Sequence, residues 1–205
     1  MGIPKAKLKK AIDALAKVEP KFAAALKRAG YPEPRISEPG YETLLRTIIG
    51  QQVSVHAARS IWNKLEAAVG DISDPAKLTA ASDEDLRGAG LSRQKISYAR
   101  SLAGLVASGE LDLRNLPKDD EEAIARLVQV KGIGRWSAEI YLLFAEGRRD
   151  VFPAGDLAVQ IELGRLMGFE EKPTEKQLRE IGERWKPHRG AAAVLAWHSY
   201  NSAVL

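Results

Sequence analysis

Cysteine is absent from this 205-residue sequence, and histidine occurs only three times. The lack of cysteine excludes disulfide bonds, thiolate zinc sites and cysteine-bound iron–sulfur clusters. The three histidines, His56, His188 and His198, do not stand at a metal-ligand spacing with carboxylates. We therefore expect a chemistry that requires no cofactor.

Long apolar runs are also missing from the sequence. The stretch from Ala191 to Trp197 is among the longest, far short of the ~20 residues of a membrane-spanning helix. Residues 1–5 open into a Lys-rich amphipathic pattern and lack the apolar core and cleavage site of a secretory signal. These features predict a cytoplasmic protein with no membrane partner.

An excess of one charge is present but small. The sequence has 31 basic and 27 acidic residues, a net charge of +4 and a pI of about 9.2. Basic residues concentrate at 5–10, 131–135 and 184–189. This distribution favours an anionic partner such as nucleic acid, although an ordinary solvated surface is the more frequent explanation of the net charge alone.

Apolar residues recur at helical spacing through almost the whole chain, and no segment alternates with the period of a strand. The pattern predicts an all-α fold, with a short helix opened by the capping sequence at Ser82. The other predicted helices are 5–17, 41–50, 55–69, 93–107, 119–129, 135–147, 157–167, 174–185 and 189–204.

Two Pro- and Gly-rich breaks, at 31–40 and 147–156, interrupt the helical pattern. We expect them to separate two helical lobes with a central cleft. One lobe would comprise 36–150, and the other would join 1–35 to 151–205.

The segment 124–147 gives the strongest local signal. An apolar helix, a Gly-Ile-Gly turn and a second apolar helix follow one another, with Gly132 and Gly134 in the turn. Amides of such a turn and of the following helix start can bind a phosphate, and Lys131 and Arg135 flank them with positive charge. A simple helix C-cap followed by a helix start explains the glycines alone equally well.

Asp156 ends the second Pro- and Gly-rich break and opens the predicted helix 157–167. A carboxylate there suits hydrolysis of a glycosidic bond, because the sugar becomes positively charged in the transition state. An N-cap role is the alternative for Asp156, and Asp150 is the competing carboxylate.

The pattern Leu-x-x-Val-x-Gly-Ile-Gly-Arg-x-x-Ala at 127–138 resembles the helix-hairpin-helix of the DNA glycosylase superfamily. In that superfamily a catalytic aspartate follows the hairpin, and Asp156 stands in its place. Bifunctional members such as endonuclease III have a lysine where this chain has Trp136. The resemblance therefore implies a monofunctional reaction, in which water rather than an amine attacks the sugar.

The Gly-Ile-Gly-Arg-Trp sequence is similar to that of the 3-methyladenine DNA glycosylase II family. The segments 41–55 and 183–187 resemble this family too, and the resemblance covers about 40 to 205. It points to the compact form that lacks an N-terminal β domain. The family implies excision of alkylated bases such as 3-methyladenine and 7-methylguanine from duplex DNA, by a monomer associated with the nucleoid.

Further site residues follow from the resemblance by position. Gln52 would fill the gap left by the flipped base, and Ser54 would touch the minor groove. Trp136 and Trp197 would line the base pocket, where indole faces attract a positively charged base. The family's hairpin also holds Na⁺ or K⁺ through backbone carbonyls, which here would belong to Val128, Val130 and Ile133.

Two readings from other classes stay open at the level of sequence. The chain could be a non-catalytic helix-hairpin-helix module that binds DNA without Asp156 chemistry. It could also be a glycosylase for a different lesion, such as mismatched thymine or uracil.

Overall fold

The structure is a computed structural model that describes residues 2–202. Within this range all regular elements are helical, which confirms the predicted all-α fold. None of the helices described is both long and apolar enough to cross a membrane. The α-helices are α1 (Lys5–Val18), α2 (Pro20–Ala29), α3 (Tyr41–Gly50), α4 (Val55–Val69), α5 (Pro75–Ala80), α6 (Asp83–Gly88), α7 (Arg93–Ala107), α8 (Asp120–Leu127), α9 (Arg135–Tyr141), α10 (Leu157–Met167), α11 (Glu175–Gly182) and α12 (Arg189–Ser202).

The chain divides into two compact units. The first comprises Met1–Glu38 and Leu142–Leu205, of which 2–38 and 142–202 are described, and the second is Pro39–Tyr141. These limits differ from the predicted lobes at both breaks, by a few residues near 36 and by nine near 150. The second limit falls within a helical segment rather than in the Pro- and Gly-rich loop.

The first unit has its own apolar core, built on the inner faces of α1, α2, α10 and α12. Trp185, only 1% exposed, lies at its centre and packs edge-on against Phe22 and Phe152. The N-terminal half of α12 contains Gly190 and three consecutive alanines, and it is buried from Gly190 to Ala196. Small side chains there allow neighbouring helices to approach α12 closely.

The second unit is organised around α7, whose buried face carries Ile96, Ala99 and Leu102. Each of the helices α4, α6 and α7 begins at a serine whose hydroxyl accepts a backbone N–H three residues later. These are N-caps, as the capping sequence at Ser82 predicted for α6.

The predicted helix 135–147 differs from the structure in one respect. α9 ends at Tyr141, and Leu142–Glu146 forms a π-helical turn. A π turn inserts an extra residue into the helical repeat and so rotates the side chains that follow it. It also marks the point at which the chain leaves the second unit.

Candidate functional site

Asp156 is the N-cap residue of α10, as the sequence indicated. Its Oδ1 accepts the backbone N–H of Val159 at 3.0 Å. The indole Nε1 of Trp197, on α12, donates to the same oxygen at 2.9 Å. Two of the residues predicted for the active site therefore touch each other, and the carboxylate has a fixed orientation.

Trp197 is itself held by a second aromatic ring. Its indole lies 5.6 Å from the ring of Phe144, measured between centroids and tilted by 39°. Phe144 belongs to the π-helical turn, and its carbonyl accepts the backbone N–H of Ser37 at 2.9 Å. The π turn thus provides the side chain against which Trp197 rests.

The loop before Asp156 is fixed from two sides. Arg179, on α11, donates to the carbonyl of Phe152 at 3.1 Å, and the buried Gln160 donates to that of Ala154 at 3.0 Å. The backbone N–H of Asp156 closes the turn on the carbonyl of Pro153 at 3.0 Å. This loop is therefore a rigid support for the carboxylate, and sequence reasoning missed the residues that support it.

Asp150, the competing carboxylate, has a different environment. Its two oxygens accept the backbone N–H of Arg189 at 3.2 Å and the guanidinium of the same residue at 2.9 Å. It therefore anchors the start of α12, and Asp156 is the better candidate for chemistry.

The hairpin consists of α8, the turn 128–134 and α9, all in the second unit. Gly132 has a φ of +82°, and a Cβ there would collide with the ring of Tyr98. Gly134 has no such φ, and a Cβ there would meet open space. The two glycines, which the sequence treated alike, therefore do different things: Gly132 shapes the turn, whereas Gly134 keeps its outer surface open.

The two cations of the hairpin differ in their partners. Arg135 is paired with Glu121 and, at 3.0 Å, with Glu139, which is only 1% exposed. The hydrogen bond to Glu121, together with these two negative charges, raises the pKa of Arg135. Lys131 is exposed at the turn itself. The charge of Arg135 is thus largely neutralised by Glu121 and Glu139, and Lys131 is the better candidate for a phosphate contact.

The turn between α3 and α4 contains Gln52, which the sequence predicted to fill the gap left by a flipped base; we call it the plug turn. Gln52 is exposed and has a φ of +55°, which is unusual for a residue with a side chain. The neighbouring Gln51 donates to the carbonyl of Gly132 at 2.8 Å. This contact, not anticipated from the sequence, ties the plug turn directly to the hairpin.

Trp136 and Ser54 are two further positions that the sequence predicted for the site. Trp136 is 47% exposed on the second unit. Ser54 uses its hydroxyl to cap α4, accepting the N–H of Ala57 at 3.2 Å.

The predicted cation site rests on backbone carbonyls. Val128 is the C-cap residue of α8, so its carbonyl lies at the helix end, and that of Val130 accepts the N–H of Ile133 at 3.0 Å. Carbonyl oxygens at a helix end suit a monovalent cation chemically. No group of three or more His, Asp or Glu side chains able to hold a metal occurs among residues 2–202.

A helical hairpin with an exposed lysine, followed by a rigidly held aspartate, defines the class of protein. Residues 45–188 match the family described as "HhH-GPD superfamily base excision DNA repair protein". The chain belongs to this superfamily, and the resemblance seen in the sequence is confirmed.

Several relatives within the superfamily are similar over most of the chain. DNA-3-methyladenine glycosylase 1 of Schizosaccharomyces pombe is 34% identical over 161 residues, which is 77% of this chain and 71% of the relative. DNA-3-methyladenine glycosylase 2 of Escherichia coli is 30% identical over 189 residues, covering 85% of this chain and 64% of the relative.

Solved structures agree with this relationship. The Schizosaccharomyces pombe 3-methyladenine DNA glycosylase bound to abasic DNA superposes with a TM-score of 0.78 at 30% identity, covering 96% of this chain and 97% of that one. A DNA-3-methyladenine glycosidase of Bacillus halodurans superposes with a TM-score of 0.86 at 31% identity, covering 96% and 90%.

Proposed function

We propose that this protein is a monofunctional DNA N-glycosylase that removes alkylated bases, such as 3-methyladenine and 7-methylguanine, from duplex DNA. The observation that carries the proposal is the carboxylate of Asp156, fixed at the start of α10 by the indole N–H of Trp197. The superfamily membership and the names of the similar proteins support the same activity.

Cleavage of the N-glycosidic bond leaves positive charge on the deoxyribose as the base departs. An anion held in place near the anomeric carbon stabilises that charge without having to reorganise. Asp156 meets this requirement, because two hydrogen bonds fix the position of its Oδ1. Water then completes the hydrolysis, with the carboxylate available to orient it or to accept its proton.

Aromatic side chains are proposed to recognise the damaged base. Trp136 and Trp197 are proposed to line the pocket, where their indole faces attract the positive charge of a ring-alkylated base. Such cation–π interactions contribute roughly 0.5–2 kcal/mol. A positively charged base is also a better leaving group, so a pocket of this kind needs little selectivity.

The target base must leave the helical stack before it can reach Asp156. We assign Gln52 to fill the resulting gap, with Ser54 in the minor groove. The hairpin would hold the phosphate backbone through Lys131 and the turn amides, with Na⁺ or K⁺ bound by the carbonyls of Val128, Val130 and Ile133.

The test is release of free bases from methylated duplex DNA by wild type and Asp156→Asn. Asparagine caps helices about as well as aspartate, so this change removes the charge and keeps the cap. We expect the single-turnover rate to fall by at least about a hundredfold, as when an electrostatic group of a transition state is removed. Binding to duplex DNA should persist.

Asp119→Asn is the matched control. Asp119 caps α8 in the same way, accepting the N–H of Glu122 at 2.9 Å. This variant should release bases at the wild-type rate. Binding without base release by the wild type would favour a non-catalytic module or another lesion, and equal activity of Asp156→Asn would contradict the role of the carboxylate.

A further inference from the structure

The outer face of α7 is unusually free of negative charge. The helix, Arg93–Ala107, carries Arg93 and Arg100 on this face and has no acidic residue, in a chain that has 27. Its third cation, Lys95, points elsewhere and donates to the carbonyl of Ile49 at 2.7 Å. Ser97, Ser101 and Gly104 lie along the same face, with Ile96 and Leu105 at its margin. Such a surface suits a close-fitting anionic polymer better than an apolar partner.

This face forms the floor of an open groove of about 780 Å³. The residues of the groove that matter here are Arg93, Ser97, Arg100, Ser101, Gly104 and Lys131. A Cβ built on Gly104 meets nothing within 4 Å, so the floor is open at this point.

The groove is continuous with the hairpin. The backbone N–H of Lys131 donates to the hydroxyl of Ser101 at 3.1 Å, which joins the turn to α7. Lys131 lines this groove, whereas Gly132 lines a separate cavity of about 340 Å³ that contains Gln52. A strand that passes the hairpin would therefore meet Gln52 and Lys95 in one cavity and Arg93 and Arg100 in the other.

The groove also contains two carboxylates. Asp83 is paired with Arg100 at 2.7 Å, and Glu110 accepts the hydroxyl of Ser108 at 3.0 Å. Arg93 and Lys131 have no ion-pair partner among residues 2–202, so they are the cations of the groove whose charge is available to a ligand.

We propose that the part of the groove formed by Arg93, Ser97, Ser101 and Lys131 is a second contact for the sugar–phosphate backbone of duplex DNA, flanking the segment held by the hairpin. The inference rests on the proposed function, because it extends the DNA-binding surface of the same enzyme. Hydroxyls and cations contact phosphates without reading the base sequence, so this contact adds affinity and length of footprint rather than selectivity.

The test compares binding of undamaged duplex DNA of at least 20 base pairs, measured by fluorescence anisotropy over a range of salt concentrations. Loss of one phosphate contact lowers the slope of log K against log salt by about 0.9. We expect this decrease for Arg93→Ala, and no change for Lys64→Ala, an exposed lysine on α4 outside the groove.

A second pair of variants probes the floor of the groove. Gly104→Glu and Gly104→Gln introduce side chains of nearly equal size into open space, and only the first adds negative charge. We expect Gly104→Glu to bind DNA several-fold more weakly than Gly104→Gln at low salt, with the difference shrinking as salt screens it. Thermal melting of all variants shows whether they are folded.

The inference is overturned if folded Arg93→Ala keeps the wild-type slope and the two Gly104 variants bind alike. The readout is independent of catalysis. If the wild type releases no base but binds DNA with a salt slope that depends on Arg93, the proposed function is contradicted. The inferred DNA contact in the groove is then still supported.

Discussion

Among single residues, Trp197 has two separable properties. Its ring can stack on a base, and its indole N–H holds the carboxylate of Asp156 at 2.9 Å. The sequence predicted only the first, because a tryptophan on an apolar helix near the C-terminus gives no indication of a partner 41 residues away.

Trp197→Phe separates these properties, because phenylalanine keeps a ring and loses the donor. A hydrogen bond to a charged group contributes about 1.5–3 kcal/mol, and each 1.36 kcal/mol corresponds to a tenfold change in rate. We therefore expect the single-turnover rate of base release to fall by about 10- to 100-fold for every alkylated base tested, with affinity for abasic duplex DNA little changed. A lower affinity at an unchanged rate would show that Trp197 acts by stacking alone.

At the scale of elements, the hairpin was the part of the chain best predicted from sequence. Its glycine pattern located α8, the turn and α9 to within a few residues, because positive φ and tight turns restrict residue choice locally. The pairing of Arg135 with Glu121 and Glu139 was not predicted. Many residues lie within reach of a long cationic side chain, and only the folded hairpin selects among them.

The two glycines of the turn give a matched pair of substitutions. Gly132→Ala forces an alanine to a φ of +82° and places its Cβ against Tyr98. We expect the melting temperature to fall by roughly 2–12 °C, since strain of about 1–3 kcal/mol lowers it by about 2–4 °C per kcal/mol in a chain of this size.

Gly134→Ala should behave differently, since its Cβ points into open space. The melting temperature should change little, whereas affinity for duplex DNA should fall by about tenfold if the methyl group breaks one hydrogen bond to a phosphate. Melting curves and binding isotherms of the two variants check both statements. Unchanged DNA affinity for Gly134→Ala would argue against phosphate binding at this turn.

Two helices escaped sequence analysis. α2 begins with Pro20 after Glu19, and α5 begins with Pro75 after Asp74, so each has a proline in the first helical turn after an acidic cap. Proline at this position is a recognised start signal, but the helices have only ten and six residues, too few for a clear helical repeat of apolar positions. Their burial against longer helices, rather than their propensity, stabilises them.

For the whole molecule, the absence of a lysine at position 136 has a chemical consequence. Without an amine to attack the sugar, the product should be an intact abasic strand. We expect borohydride to trap no covalent protein–DNA adduct during base release, and the product strand to break only after heating in alkali. A trapped adduct would mean that another lysine supplies the amine, and would contradict the monofunctional mechanism.

The sequence by itself determined the all-α class, the hairpin, the aspartate that follows it and the family. These features depend on local periodicity, on glycines at turns and on the residue types that the chemistry requires. Only the tertiary structure decided that Trp197 holds Asp156, that Gln51 ties the plug turn to Gly132, and that α7 extends the hairpin as a groove. Each of these contacts joins residues 30 to 81 positions apart. Such pairings are set by how helices pack, and helical periodicity shows which face is buried but not what it is buried against.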